Sequence, residues 1–265
     1  MSVERDETTV LREIAGGVAT LFLNRPERHN SWIPAMEQRL FDLMDECERD
    51  PSVRAVVLTG SGASFCPGVD MTALSPMSKA ATPADASWRS RPMTHVLSMS
   101  KPTIAAINGA CAGVGFVQAL SCDVRFAATG AKIAPAFTRR GLPAEFGVSW
   151  LLIRLIGMAS ATELLLSSRV VVAEEAVRLG LVTRVCEPPA LLAEAQAYAH
   201  DLAQFCSPRA MSAVKEQLAL EWSRGLDDSA ADAARRLADP DLRLDFKEGV
   251  AAFVERRSPR FRPLP

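Results

Sequence analysis

The chain has 265 residues, 48% of them hydrophobic and 23% charged. At about 100–200 residues per domain this is one large α/β domain, or one with a small appendage, holding enough apolar material for a core without staples. Its 30 basic and 31 acidic side chains leave a net charge of −1, which excludes a chain-wide field for nucleic acid or an anionic membrane.

In chain order, the charged start MSVERDETTV has no apolar stretch, so no signal peptide is expected. Residues 8–23 alternate and then run apolar from Val18 to Leu23, which predicts a hairpin or strand pair turning at Gly16-Gly17. After Asn24-Arg25-Pro26, the residues Trp32, Met36, Leu40, Leu43, Met44 and Cys47 recur at helical spacing behind Ser31. The runs Ala55–Thr59, Thr103–Ile107 and Val124–Ala128 have the composition of buried strands. Residues 74–92, rich in Pro, Ser and Ala and without periodicity, predict a loop or partly helical insertion placed as a lid would be. A Gly/Ala-rich segment, 109–122, is long enough for a loop and two helical turns. Helical patterns then follow over 148–157, 159–167, 173–180, 190–222 and 229–237. No apolar run is read as long enough to span a bilayer. The six cysteines (Cys47, Cys66, Cys111, Cys122, Cys186 and Cys206) form no CxxC pair and adjoin no histidine. Neither a zinc site nor a dense disulfide framework is expected, and a reducing cytoplasm is the expected compartment. Strand–helix alternation followed by a helical last third predicts an α/β core with a helical extension.

Three stretches stand out. The first is Leu23-Asn24-Arg25-Pro26-Glu27-Arg28-His29-Asn30. The second runs from Arg54 to Gly60 and resumes at Phe65-Cys66-Pro67-Gly68-Val69-Asp70-Met71. The third runs from Lys101-Pro102 through Asn108-Gly109, Gly113-Val114-Gly115, Cys122-Asp123-Val124-Arg125 and Gly141-Leu142 to Arg154-Leu155-Ile156-Gly157. With 173–182 and 248–253 added, the chain resembles the enoyl-CoA hydratase/isomerase (crotonase) superfamily from end to end. One short motif would carry little weight; five blocks in order over nearly the whole chain carry much more.

The resemblance implies an α/β, crotonase-like spiral of ββα units over residues 1–200, with a helical C-terminal region, 201–265, that covers coenzyme A and builds a homotrimer or a dimer of trimers. It implies an acyl-CoA or enoyl-CoA substrate and no separate cofactor, metal, nucleic-acid or membrane partner. The matching positions for two backbone oxyanion donors are Cys66 and Val114. Such donors suit the chemistry, because a thioester becomes reactive at C2 or C3 as its carbonyl oxygen gains charge. Loss of one typically costs about 3–4 kcal/mol. Small residues let the ligand approach the main chain, and a helix N-terminus adds a favourable dipole.

The departure lies in the acids. Hydratases of this family place one glutamate in the helix after the glycine-rich loop and another before the next Gly-Leu; the matching residues here are Val117 and Phe137. Glu145 stands instead where isomerase and dehalogenase relatives carry a working acid, and one carboxylate suffices for a proton shuttle between C2 and C4. Flanking Phe146 and Trp150 are placed to desolvate it; an exposed surface glutamate is the plainer reading. For coenzyme A, the resemblance points to Arg28 and His29 on its phosphates or adenine, to Pro67, Gly68, Val69, Asp70, Met71 and Gly113 around the oxyanion segment, and to Phe253 and Arg256 near the C-terminus. Trp88 lines the acyl pocket or pins the insertion. Arg139 and Arg140 are expected in structural or intersubunit ion pairs. The reactions consistent with this set are double-bond migration on Glu145, hydration or thioester hydrolysis on Glu145 alone, and acyl-CoA binding without catalysis. A nicotinamide dehydrogenase is set aside, since Gly109, Gly113 and Gly115 do not space as G-x-G-x-x-G.

Overall fold

The computed structural model describes residues 6–74 and 89–264. Strands β1 (Val10–Ala15) and β2 (Val18–Leu23) form the expected hairpin, antiparallel with Ala15 opposite Val18. Its two turn residues, Gly16 and Gly17, both have positive φ, as a two-residue turn between twisted strands requires. Helix α1 (Pro34–Arg49) buries Met36, Leu40, Leu43, Met44 and Cys47 as their spacing predicts. It begins later than Trp32 because Pro34 occupies its first turn, where a missing N–H costs nothing. Trp32 instead forms a parallel bridge with Val69.

The three buried runs become β3 (Ala55–Gly60), β5 (Thr103–Ile107) and β7 (Val124–Ala128). With β10 (Arg184–Cys186) they extend the hairpin into a six-stranded sheet of order β1-β2-β3-β5-β7-β10, parallel beyond β2. Every residue of β3 and β5 is buried, which is why neither alternates in polarity. After each of these three strands the chain enters a second sheet, as β4 (Ser64–Cys66), β6 (Ala110–Ala112) and β8 (Lys132–Ala134), closed by β9 (Val171–Val172) in the order β4-β6-β8-β9. A helix follows each short strand: α2 (Met71–Leu74), α3 (Val114–Ser121) and α4 (Val148–Ser167). This is the spiral of ββα units. The segment at Cys66 is thus the end of a short strand.

Helix α5 (Ala173–Leu179) precedes β10, and the predicted helix 190–222 is two. The first, α6 (Leu191–Phe205), packs on β2, β3, β5, β7 and β10 and runs through residue 200. The second, α7 (Pro208–Leu220), starts where Pro208 interrupts helical bonding and the Ser207 hydroxyl accepts the Ala210 N–H at 3.0 Å. Helices α8 (Leu226–Leu237) and α9 (Pro240–Glu255) complete the C-terminal region. The sequence reading stopped before α9, although Asp239-Pro240 is a readable start: the Asp239 carboxylate accepts the Asp241 N–H at 2.9 Å. Contrary to the expectation of no membrane-length apolar run, α4 is long and apolar enough by length and composition. It turns at Gly157 (φ 75°, ψ 165°), so neither half approaches the roughly 20 residues a span needs.

Candidate active site

The second and third sequence blocks meet at the ends of β4 and β6. Gly115, inside α3, presses against β4 so closely that a Cβ there would lie 2.1 Å from the Cys66 carbonyl oxygen. Gly68 (φ 113°) and Gly113 (φ 53°) face each other across the gap, a Cβ on Gly113 lying 3.6 Å from the Gly68 Cα. Both conformations belong to glycine. Gly113 caps α3, and the first intrahelical bond is Val117 N–H to the Gly113 carbonyl at 3.0 Å. The Val114 N–H, one position into the helix, thus has no intrahelical acceptor. Val114 is not among the positive-φ residues, so its backbone tolerates a side chain there.

These bends open onto a cleft of about 380 Å³. Pro67, Gly68, Val69, Gly113 and Val114 form one wall, and Ala136, Phe137, Leu142 and Glu145 the opposite one. Cys66 sits one residue behind the first wall, fully buried. Burial pushes its thiol up to about 12, which removes it as a nucleophile. Val117 is also fully buried and absent from the lining. Phe137 reaches the cleft as an apolar surface.

Glu145 is half-buried. Burial raises its carboxyl above the ordinary glutamate range, and the positive charge of Arg89 draws it partly back. Next to it, Phe146 takes a left-handed conformation (φ 55°), unusual for a bulky residue. The flanking aromatics divide: Phe146 packs on the core, whereas Trp150 is 45% exposed and carries the Arg154 guanidinium 3.7 Å from its ring centre. Trp150 therefore does not desolvate Glu145, since it lies nearly a turn and a half further along and its ring serves Arg154.

Arg28, His29, Met71 and Asp70 line the mouth. Asp70 is 6% exposed and fully engaged: it accepts from Thr72 Oγ1 at 2.6 Å and Arg25 Nη2 at 3.2 Å, and lies 3.7 Å from Arg28 Nε. It is thus a brace for the two arginines more than a ligand contact. Asn30 pins the first block to the second, donating to the carbonyls of Ser61 at 2.9 Å and Ser64 at 2.7 Å. His29 Nδ1 lies 3.4 Å from Ser64 Oγ.

Several expected residues fall elsewhere. Phe253 (86% exposed) and Arg256 lie at the end of α9 and do not line this cleft within the chain. They sit on a helix whose apolar side opens onto a different groove. Trp88 lies outside the described residues. Within the chain, Arg139 and Arg140 bond main-chain carbonyls, Arg139 Nε to Ser167 and Arg140 Nη1 to Ala136, each at 3.0 Å. Arg140 lines the cleft, which the sequence reading missed; its place just before Gly141-Leu142 is the signal that could have found it.

A fold of this kind, with a ligand-sized cleft between two glycine bends, defines a crotonase spiral. The family model "Enoyl-CoA hydratase/isomerase" matches residues 13–263. The chain is 35% identical to 1,2-epoxyphenylacetyl-CoA isomerase of Escherichia coli K12, over 95% of this chain and 97% of that protein. It is 37% identical to (E)-benzylidenesuccinyl-CoA hydratase of Thauera aromatica, over 96% and 98%. The crystal structure of an enoyl-CoA hydratase from Polaromonas sp. JS666 superposes with a TM-score of 0.87 at 30% identity, covering 96% of this chain and 99% of that one. The chain belongs to the enoyl-CoA hydratase/isomerase family, and with it to crotonase-type chemistry on acyl-CoA thioesters.

Proposed function

We propose that this protein shifts a carbon–carbon double bond in an enoyl-CoA, with Glu145 as the single proton carrier and the Cys66 and Val114 amides holding the thioester oxygen. The observation that carries this reading is that Glu145 shares one cleft with Gly68, Gly113 and Val114; the family resemblance adds that Val117 and Phe137 stand at the positions matching the two hydratase glutamates. The thioester enters between Gly68 and Gly113, where a side chain would block it. Glu145 takes a proton from C2 of a 3-enoyl thioester. The resulting dienolate places its charge on the oxygen, where two amides and the start of α3 stabilise it. Glu145 returns the proton at C4, leaving the conjugated 2-enoyl product. A raised carboxyl pKa suits this exchange, because proton affinity closer to that of the carbon acid lowers the cost of transfer.

Arg28 and His29 at the mouth fit the phosphates of coenzyme A. The isomerase relative supports isomerisation of a CoA thioester. The hydratase relative supports a second reading, in which Glu145 orders a water and the product is a 3-hydroxyacyl-CoA. The exposed apolar groove along α7 to α9 supports assembly as a homotrimer or dimer of trimers.

The test mixes purified protein with 2-enoyl and 3-enoyl thioesters of several chain lengths. Ultraviolet absorbance follows the conjugated alkene, and mass spectrometry detects added water or free CoA. Migration of the 3-enoyl bond, falling at least about a hundredfold in Glu145→Gln with acyl-CoA affinity retained, is the expected result. Equal turnover in the variant removes Glu145 from the mechanism, and a mass gain of one water selects the second reading.

A further inference from the structure

The two walls of the cleft come from segments far apart in the chain, and one buried carboxylate ties them together. Glu37, in the first turn of α1, has 3% of its side chain exposed. Its Oε2 accepts the Trp32 indole N–H at 3.0 Å, and its Oε1 accepts from Arg89 Nε at 2.8 Å. The Trp32 main chain binds the oxyanion-side wall on either side of Val69, its N–H donating to the Gly68 carbonyl at 2.8 Å and its carbonyl accepting the Asp70 N–H at 2.9 Å. Arg89 reaches the other wall. Its guanidinium lies 5.4 Å from the centre of the Phe146 ring, within the range of a cation–π contact. Phe146 is the left-handed residue next to Glu145. A bulky side chain holds that conformation only where its surroundings dictate it, and Arg89 supplies a contact that does so.

We propose that Arg89, seated on the buried Glu37 carboxylate, is a positioning residue for Glu145: it fixes the Phe146 bend that aims this carboxylate into the cleft, in register with the Gly68 wall. The inference rests on the reading of Glu145 as proton carrier and extends it to the support behind that residue. A second effect follows from charge. Arg89 is the charged group that draws the Glu145 carboxyl back down against burial; Arg140, Arg28, His29 and Asp70 line the same cleft.

The test uses the full-length protein carrying Arg89→Met together with Glu37→Gln, so that no unpaired carboxylate is left buried. Arg89→Lys, which retains a cation for Glu37, is the second variant. Two readouts are taken. The first is titration of the Glu145 carboxyl by NMR in protein labelled with carbon-13 at the glutamate carboxyl, the signal being assigned by its loss in Glu145→Gln. The second is kcat and KM on the preferred enoyl-CoA. In the double variant the Glu145 titration moves upward, and kcat falls between about tenfold and a hundredfold while KM stays within about twofold. Arg89→Lys keeps the titration near that of the parent but lowers kcat, because an ammonium does not reproduce the flat guanidinium on Phe146. An unmoved titration in the double variant, a kcat unchanged in both variants, or a loss confined to KM overturns the proposal. Full turnover in Glu145→Gln alongside a moved titration defeats the proton-carrier reading and leaves the positioning claim standing.

Discussion

At Asp70, a hydroxyl and two guanidinium groups share one carboxylate. The Thr72 hydroxyl contributes most, and with Arg25 and Arg28 it holds the acid down at about 2, below the value near 3.9 of an unfolded aspartate. A depressed folded pKa stabilises the fold above the unfolded value, and that contribution disappears as pH falls through the folded one. Asp70→Asn therefore lowers the urea midpoint at pH 7, and the gap to the parent closes between about pH 4 and pH 2. A gap independent of pH would show that Asp70 acts by packing alone. Glu145 behaves in the opposite sense. Its raised pKa places the acid limb of kcat/KM above the ordinary glutamate range, to be read from a pH–rate profile, since kcat/KM reports the free enzyme. An acid limb at or below that range would assign the limiting proton transfer to another group. Residues that fall in the blocks carrying the family resemblance were legible in the sequence, Gly68, Gly113 and Val114 among them. Glu37 and Arg89 were not, because they meet across 52 positions of chain and neither belongs to a motif.

Among the elements, α3 shows how a helix start is made into a ligand site. Alanine normally favours a helix interior over glycine by about 0.8–1.0 kcal/mol. At Gly115 the preference reverses, because the added Cβ would lie 2.1 Å from the Cys66 carbonyl oxygen. Gly115→Ala is expected to destabilise the protein by about 1–3 kcal/mol in urea unfolding and to lower kcat, since it pushes apart the two segments that carry the donors. A variant as stable as the parent would mean that α3 moves freely against β4. Periodicity found α1, α5 and both halves of α4, because each carries a stripe or a glycine stop; α3 was found from the length of the Gly/Ala-rich segment that holds it. It fused α6 with α7, since apolar spacing continues through Ser207-Pro208 and only the cap and the proline mark the break. Trp32 matched the helical register by spacing, but the backbone bonds to Gly68 and Asp70 drew it out of the helix.

Across the whole molecule, the apolar surface that the spiral does not use gathers on the C-terminal helices. Phe246 is 72% exposed, Phe253 86% and Leu237 74%, and all three line one groove with Val214, Val250 and Phe261. A lone chain rarely shows water so large a patch, so light scattering after gel filtration is expected to give the mass of three or six chains. Phe246→Asp with Phe253→Asp should reduce it to one; a parent of single-chain mass would contradict the assembly. The spiral, with its strand and helix order, was readable from five ordered blocks. The assembly was not, since no sequence pattern says whether an exposed phenylalanine meets a second copy or a ligand. The account stands or falls on where the thioester oxygen goes, and a crystal structure with a bound, unreactive acyl-CoA measures that directly. The oxygen is expected about 2.7–3.1 Å from both the Cys66 and the Val114 nitrogens, with the Glu145 carboxylate against C2 and C4 of the acyl chain. An oxygen out of reach of both amides, or a chain lying away from Glu145, would contradict it.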